Sequence, residues 1–286
     1  MRTRFEENSC KCTDKNDDDP LVEASRSWDW HVRRKVAWSC DTPEDILCVL
    51  SMDTIQWVRE AVAGNANADL STLERLAEDS SGYVRASVAL NSKAPAKVLE
   101  GLAGDEMVDY DCTLGKNRYL VKESVARNPN INLDTLAFLA GDSDEHVRAS
   151  AASNPLMTTD LMGKLAKDVS WLVRNSIACN PATPESLLVY LSMDRIMDVR
   201  ATAALNPKTP QEALAALGSD KSWEVREAVA RNPNADGKLL DELSRHWAWK
   251  VREAVAQNPN TPTEIVRRLV EDPDQSVQKA ARARMD

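Results

Sequence analysis

The sequence predicts an all-α fold, a solenoid of 26-residue units, on three observations. First, a valine followed by a basic residue recurs as Val32-Arg33, Val58-Arg59, Val84-Arg85, Val121-Lys122, Val147-Arg148, Val173-Arg174, Val199-Arg200, Val225-Arg226 and Val251-Arg252, and Val277-Gln278 closes the series. The interval is constant along the chain, except that the step from Val84 to Val121 is lengthened by an insertion. Second, an asparagine stands seven residues after the valine: Asn65, Asn91, Asn128, Asn154, Asn180, Asn206, Asn232 and Asn258. Third, an apolar trio follows, as in Leu73/Leu76/Ala77, Leu99/Leu102/Ala103, Leu136/Leu139/Ala140 and Leu214/Leu217/Gly218. A fixed period of this size is the mark of stacked supersecondary units. Such arrays offer an extended surface for binding rather than a pocket for catalysis.

Each unit reads as two short helices. In the first, Val225, Ala228 and Val229 fall at i, i+3 and i+4 and share one helical face. Pro233 ends it, because the residue before a proline is pushed out of the helical region. The second starts at Thr-Pro, with Thr183 or Thr261 expected as N-cap and Pro184 or Pro262 in the first turn. Thr209 with Glu212, and Thr261 with Glu264, have the spacing of a capping box. A single unit buries too few aliphatic side chains to offset the entropy of ordering its backbone, so units must stack.

The run Val225-Arg226-Glu227-Ala228-Val229-Ala230-Arg231-Asn232-Pro233, and the stretch from Val251 to Pro262, resemble the leucine-rich repeat variant family. The resemblance covers about residues 28–286. It implies a right-handed superhelix of alternating α and 3₁₀ helices, related in shape to armadillo and HEAT arrays. The units here are slightly longer than the family's usual ones, which leaves the second helix open between α and 3₁₀.

The ends and the insertion complete the layout. Residues 1–15 are expected to be a disordered tail, and residues 16–286 a single solenoid. Within it, residues 16–27 read as an N-terminal half-repeat cap, because Leu21 has the register of a buried leucine and Asp19-Pro20 can start a helix. Residues 273–286 read as a C-terminal half-repeat. Residues 106–118 read as a loop insertion, and insertions in repeat arrays project from one face.

Composition narrows the function classes. The net charge of −9 over 286 residues disfavours nucleic acid and anionic membrane as partners. No apolar run has the length of a membrane span or a signal peptide, so a cytoplasmic protein is expected. Only three histidines occur, His31, His146 and His246. His31 and His146 share the register just before the repeat valine, and no nucleophile elbow, phosphate loop or zinc-protease motif is present, so no enzyme is expected.

Four constellations remain. Most repeat arginines have an aspartate six residues before them, as in Asp53/Arg59 and Asp220/Arg226. An anion-binding stripe is one reading, and a stacked ionic network tying neighbouring units is the preferred one. The asparagines are expected to satisfy buried turn groups. Aromatic residues repeat in register: Trp30, Tyr119, Trp171, Trp223 and Trp249 lie two residues before the valine, and Trp57 and Tyr83 one residue before it. They either pack over the interhelix loop or form a ridge for a protein partner, together with Tyr110 of the insertion. Cys10 and Cys12 in the tail, with Cys40 and Cys48 in the first unit, form the one metal-ligand candidate. The resemblance implies a possible 4Fe–4S cluster, since a member type of the family carries an N-terminal cysteine-ligated one. Cys-x-Cys is a weaker signal than Cys-x-x-Cys, and the alternative is reduced, unligated thiols. The sequence therefore predicts a protein-interaction scaffold without a cofactor, with an iron–sulfur or metal-binding redox or sensor protein as its main alternative.

Overall fold

The computed structural model describes residues 19–111 and 116–285, without the side chains of residues 109–111 and 116. The chain divides into two compact units, the first ending at Asn154 and the second beginning at Pro155.

The first unit opens with α1 (Pro20–Ser25), which Asp19 caps by accepting from the Leu21 N–H at 2.9 Å. Helix pairs follow: α2 (Trp30–Trp38) with α3 (Glu44–Leu50), α4 (Gln56–Gly64) with α5 (Leu70–Leu76), and α6 (Gly82–Leu90) with α7 (Ala96–Leu102). A two-stranded antiparallel ribbon, β1 (Asp109–Asp111) and β2 (Lys116–Arg118), precedes α8 (Leu120–Arg127), α9 (Leu133–Ala140) and α10 (Glu145–Ala152). The insertion expected as a loop is thus a ribbon, with Asp109 opposite Arg118 and Asp111 opposite Lys116.

The second unit runs α11 (Thr159–Leu165), α12 (Trp171–Cys179), α13 (Glu185–Leu191), α14 (Met197–Leu205), α15 (Gln211–Leu217), α16 (Trp223–Arg231), α17 (Gly237–Leu243), α18 (Trp249–Gln257), α19 (Thr263–Leu269) and α20 (Gln275–Arg282). Within each unit the valine-bearing helices pack on one another, as α14 on α16 and α16 on α18. In the second unit Val199, Val225, Val251 and Val277 are fully buried, and Leu214, Leu240 and Val266 of the partner helices close the core. Each such side chain contributes about 1.5–3 kcal/mol. Gly218 follows α15 where four other units have alanine, because a Cβ there would stand 2.5 Å from Leu239 Cδ1.

Both helices of every pair are α-helical, so the alternation with 3₁₀ helices implied by the resemblance is absent among the described residues. The second helices span seven or eight residues and open with full α-turns, as Leu73 N–H to Asp69 O at 3.0 Å and Leu214 N–H to Pro210 O at 3.1 Å. The slightly longer unit gives them the chain to do so.

The threonine caps are corrected as well. Pro43, Pro95, Pro184, Pro210 and Pro262 themselves hold the N-cap position, with no side-chain cap bond. Except before Pro95, where Ala94 stands, the preceding residues are buried threonines whose hydroxyls donate back to the end of the first helix, as Thr183 to Ile177 O and Thr261 to Val255 O, both at 2.6 Å. A buried hydroxyl must be paired, and this carbonyl is the acceptor within reach. Where the proline is replaced by Asp69, Asn132, Thr158 or Asp236, the side chain caps the helix in the expected way.

Candidate functional edge of the repeat array

Two polar ladders run through each unit. In the first, the repeat asparagines Asn65, Asn91, Asn128, Asn154, Asn206, Asn232 and Asn258 each donate their side-chain N–H groups to two backbone carbonyls of the preceding pair. Asn65 reaches Ala37 O and Ser39 O, both at 2.8 Å, and Asn232 reaches Ala204 O at 2.6 Å and Asn206 O at 2.9 Å. The same amide oxygen accepts from the N–H two residues on, as Asn234 N–H to Asn232 Oδ1 at 2.7 Å. One side chain therefore closes its own turn and pairs the turn below, which only a planar amide with both donor and acceptor can do.

In the second ladder, a repeat cation grips the aspartate that closes the next pair. Arg200 holds Asp220 through Nε at 2.7 Å and Nη2 at 3.0 Å, and Arg252 holds Asp272 at 2.7 and 2.8 Å. Arg33, Arg59, Arg85 and Arg174 do the same, and Lys122 reaches Asp142 at 3.1 Å. The aspartate six residues back supplies only its backbone carbonyl, as Asp194 O to Arg200 Nη1 at 2.8 Å. Each aspartate also accepts from a backbone N–H two residues on, as Asp220 from Ser222 at 2.9 Å. Burial pushes the Asp220 carboxyl up, but the Arg200 hydrogen bond, the Ser222 N–H and nearby cations outweigh it and hold the group below its ordinary range. The same bond raises Arg200. The ladder is thus a structural network between pairs, with its carboxylates and guanidinium groups already matched.

One rung departs from this pattern. The ladder position that should answer Arg226 is filled by His246, not by an aspartate. His246 Nδ1 accepts from the Ala248 N–H at 3.1 Å, which reproduces the turn-closing role of the acid. It offers Arg226 no carboxylate, and Arg226 Nε turns instead to Asp220 O at 2.5 Å. Burial pushes the His246 pKa down, Arg226 adds to that, the Ala248 bond opposes it, and Arg252 lowers it further.

The aromatic residues predicted as a ridge lie along the start of the first helices. Trp30, Trp171, Trp223 and Trp249 are the first residues of α2, α12, α16 and α18. Trp57 and Tyr83 are the second residues of α4 and α6, and Tyr119 caps α8. Trp57, Tyr83, Trp171 and Trp249 are exposed, whereas Trp30, Tyr119 and Trp223 are half-buried. Neighbours meet in places. The Trp57 and Tyr83 ring centroids are 5.9 Å apart, and Lys250 Nζ lies 5.1 Å from the Trp223 centroid and 5.9 Å from that of Trp249. Trp30 stacks on His31, and Lys122 lies 5.0 Å from the Tyr119 ring. The side chain of Tyr110 lies outside the described residues.

Three other tryptophans are more exposed than any of these. Trp28 and Trp247 stand four residues before Val32 and Val251, in the turn over the ionic ladder, and are 94% and 76% exposed. Their carbonyls accept from Arg33 and Arg252 at 3.2 and 3.0 Å, so the backbone is pinned while the ring projects. Trp38 lines a cavity of about 500 Å³ with His31, Arg34 and Lys35. The recurrence of tryptophan at one register in two units is the sequence signal that identifies Trp28 and Trp247.

The cysteine set is only half within view. Cys40 is exposed, with Sγ 3.9 Å from the Asp41 carboxylate. Cys48 is buried and disulfide-bonded, which departs from the expectation of reduced thiols. Cys10 and Cys12 lie outside the described residues. Among the described residues, no three His, Cys, Asp or Glu side chains come together as a metal-binding group. With Cys10 and Cys12 outside the described residues, no chemistry is derived through a cluster. Nor is any helix among the described residues long and apolar enough to cross a membrane.

Comparison with known proteins agrees with this architecture. Residues 197–222, 223–246 and 249–274 match the family described as Leucine rich repeat variant. No curated protein matches the chain. Among solved structures, the chain is similar to "a leucine-rich repeat variant with a novel repetitive protein structural motif". The identity is 23%, with 86% of each chain covered and a TM-score of 0.51. It is less similar to an engineered protein (16% identity, 93% and 97% covered, TM-score 0.38) and to a designed armadillo repeat protein (18%, 92% and 96%, TM-score 0.23). At those scores the last two carry no weight for this fold. The chain carries leucine-rich repeat variant units, three of them in succession between residues 197 and 274.

Proposed function

We propose that this protein is a non-enzymatic scaffold that binds a protein partner along the aromatic edge of its helix pairs. The observation that carries the reading is the recurrence of exposed rings at the starts of first helices, Trp57 and Tyr83 in the first unit and Trp171 and Trp249 in the second. The asparagine and arginine ladders consume their polar groups internally, so the rings and the cations beside them are what the edge offers. Tryptophan and tyrosine supply large contact area at small entropic cost and dominate binding hot spots. Lys250, held over Trp223 and Trp249, adds a charge that favours an acidic partner surface. The net charge of −9 disfavours nucleic acid in that role.

A peptide-display selection against the whole chain tests this. Peptides enriched on the native protein should lose at least about tenfold in affinity for the Trp223→Ala/Trp249→Ala variant, measured where circular dichroism shows that variant fully folded. Unchanged affinity together with a lowered melting temperature would make the row packing alone and remove the reading.

A further inference from the structure

We propose that the open rung at Arg226 and His246 is a seat for a carboxylate, the Asp or Glu side chain of a bound protein segment. This deepens the interaction reading by naming the partner chemistry at one point of the edge.

The closed rungs of the same unit show what an arginine in this register binds. Arg174, Arg200 and Arg252 each hold a carboxylate through Nε and Nη2 at 2.6–3.0 Å. Arg226 stands in the same register of α16, yet no acidic side chain pairs with it among the described residues. Its Nε is taken by Asp220 O. The Asp220 carboxylate is itself taken by Arg200 and the Ser222 N–H. Among the described residues the two terminal nitrogens of Arg226 have no partner, and they are not among the buried unpaired atoms, so they face solvent. A guanidinium with its Nε anchored and both terminal nitrogens open presents an end-on fork that matches a carboxylate.

His246 is what keeps the fork open. Its Nδ1 is engaged as an acceptor by the Ala248 N–H, so in the neutral ring Nε2 carries the proton. An N–H donor cannot satisfy another donor, and the depressed pKa keeps the ring neutral near pH 7. Next in the chain, Trp247 projects at 76% exposure, its ring centroid 5.4 Å from that of His246. A ligand side chain reaching Arg226 therefore has an apolar platform beside it. The nearby anions have countercharges, Glu227 in Arg231 at 2.7 Å and Glu224, which also accepts from the Ser222 hydroxyl, in Lys250. The local charge thus favours a carboxylate although the chain as a whole is acidic.

The test uses the full chain and two defined probes, the capped tripeptides acetyl-Leu-Asp-Leu-amide and acetyl-Leu-Asn-Leu-amide. Shifts of the Trp247 indole N–H and the Arg226 side-chain signals are followed by NMR. The Asp peptide should bind saturably and at least about tenfold more tightly than the Asn peptide. That preference should vanish in Arg226→Gln and in His246→Asp, where the chain supplies its own acid, and should persist in Lys93→Ala, an exposed side chain outside both sites. Equal binding of the two peptides, or undiminished binding by His246→Asp, would overturn the proposal. Inorganic phosphate displacing the Asp peptide at a lower concentration than the peptide needs to bind would likewise remove carboxylate as the ligand. Loss of the Asp preference with the Trp223/Trp249 effect intact sinks the seat alone, and the converse sinks the aromatic edge alone.

Discussion

Arg200 and Arg226 occupy the same register one repeat apart, each after a buried valine on a nine-residue helix. Arg200 meets Asp220 and becomes part of the frame, its two bonds tying α14 to the turn before α16. Arg226 meets His246 and keeps two nitrogens free. The side chain that decides between a structural and an available arginine lies beyond the next helix, and is invisible to any reading of the helix that carries the arginine. In a repeat array, a single departure from the consensus can convert a strut into a contact point without disturbing the stack, because the substitute can retain one duty of the residue it replaces. His246 retains the turn bond through Nδ1 and gives up the ionic one.

The comparison can be broken hardest at the asparagine ladder, which both regions share. Asn232 is fully buried and serves two carbonyls and one N–H. Asn232→Ala should destabilise the second unit by about 4 kcal/mol, from stranded groups at about 1–3 kcal/mol each. A urea titration showing less than about 1 kcal/mol would mean that water replaces the amide. The ionic rungs come next. Asp220→Ala strands the Arg200 guanidinium and should cost about 3 kcal/mol, whereas Arg226→Gln should cost under about 1 kcal/mol. Equal costs would erase the distinction between closed and open rungs.

Smaller effects follow from titration. His246 binds its proton less readily folded than unfolded, because burial and the two arginines disfavour the charged ring. Its contribution is therefore complete above the ordinary histidine value of about 6.5 and is lost as pH falls through the lower folded value. Thermal melts between pH 7.5 and 5 should decline in the native protein and less so in His246→Asn. The same decline in both would place the sensitivity elsewhere. The ladder carboxylates, Asp79, Asp194, Asp220 and Asp272, have depressed values, so their contribution is present above the ordinary aspartate range and lost in acid well below the histidine window.

Much of this was legible in the sequence, for a physical reason. Repetition multiplies a weak local signal, so the valine and leucine stripes and the turn asparagines could be placed from spacing alone. The direction of the ionic pairing could not. Because the period is constant, the aspartate that precedes one arginine also lies at a fixed distance after the previous one, as Asp220 does between Arg200 and Arg226. Spacing therefore cannot separate a partner within the unit from one in the next. The threonine caps failed because burial, which local pattern does not report, redirected the hydroxyl to the preceding helix. The strands Asp109–Asp111 and Lys116–Arg118 have three residues each, too few for alternation to show. Trp28 and Trp247 lie in turns, outside the helical stripes that periodicity reports.

The most direct measurement is a double-mutant cycle in denaturant, with Arg226→Gln introduced into the native protein and into His246→Asp. An open rung predicts a cost under about 1 kcal/mol in the first background and a coupling of about 1–3 kcal/mol in the second, where the new aspartate closes on the guanidinium. The same cost in both backgrounds would contradict it, and would show that Arg226 is already part of the frame.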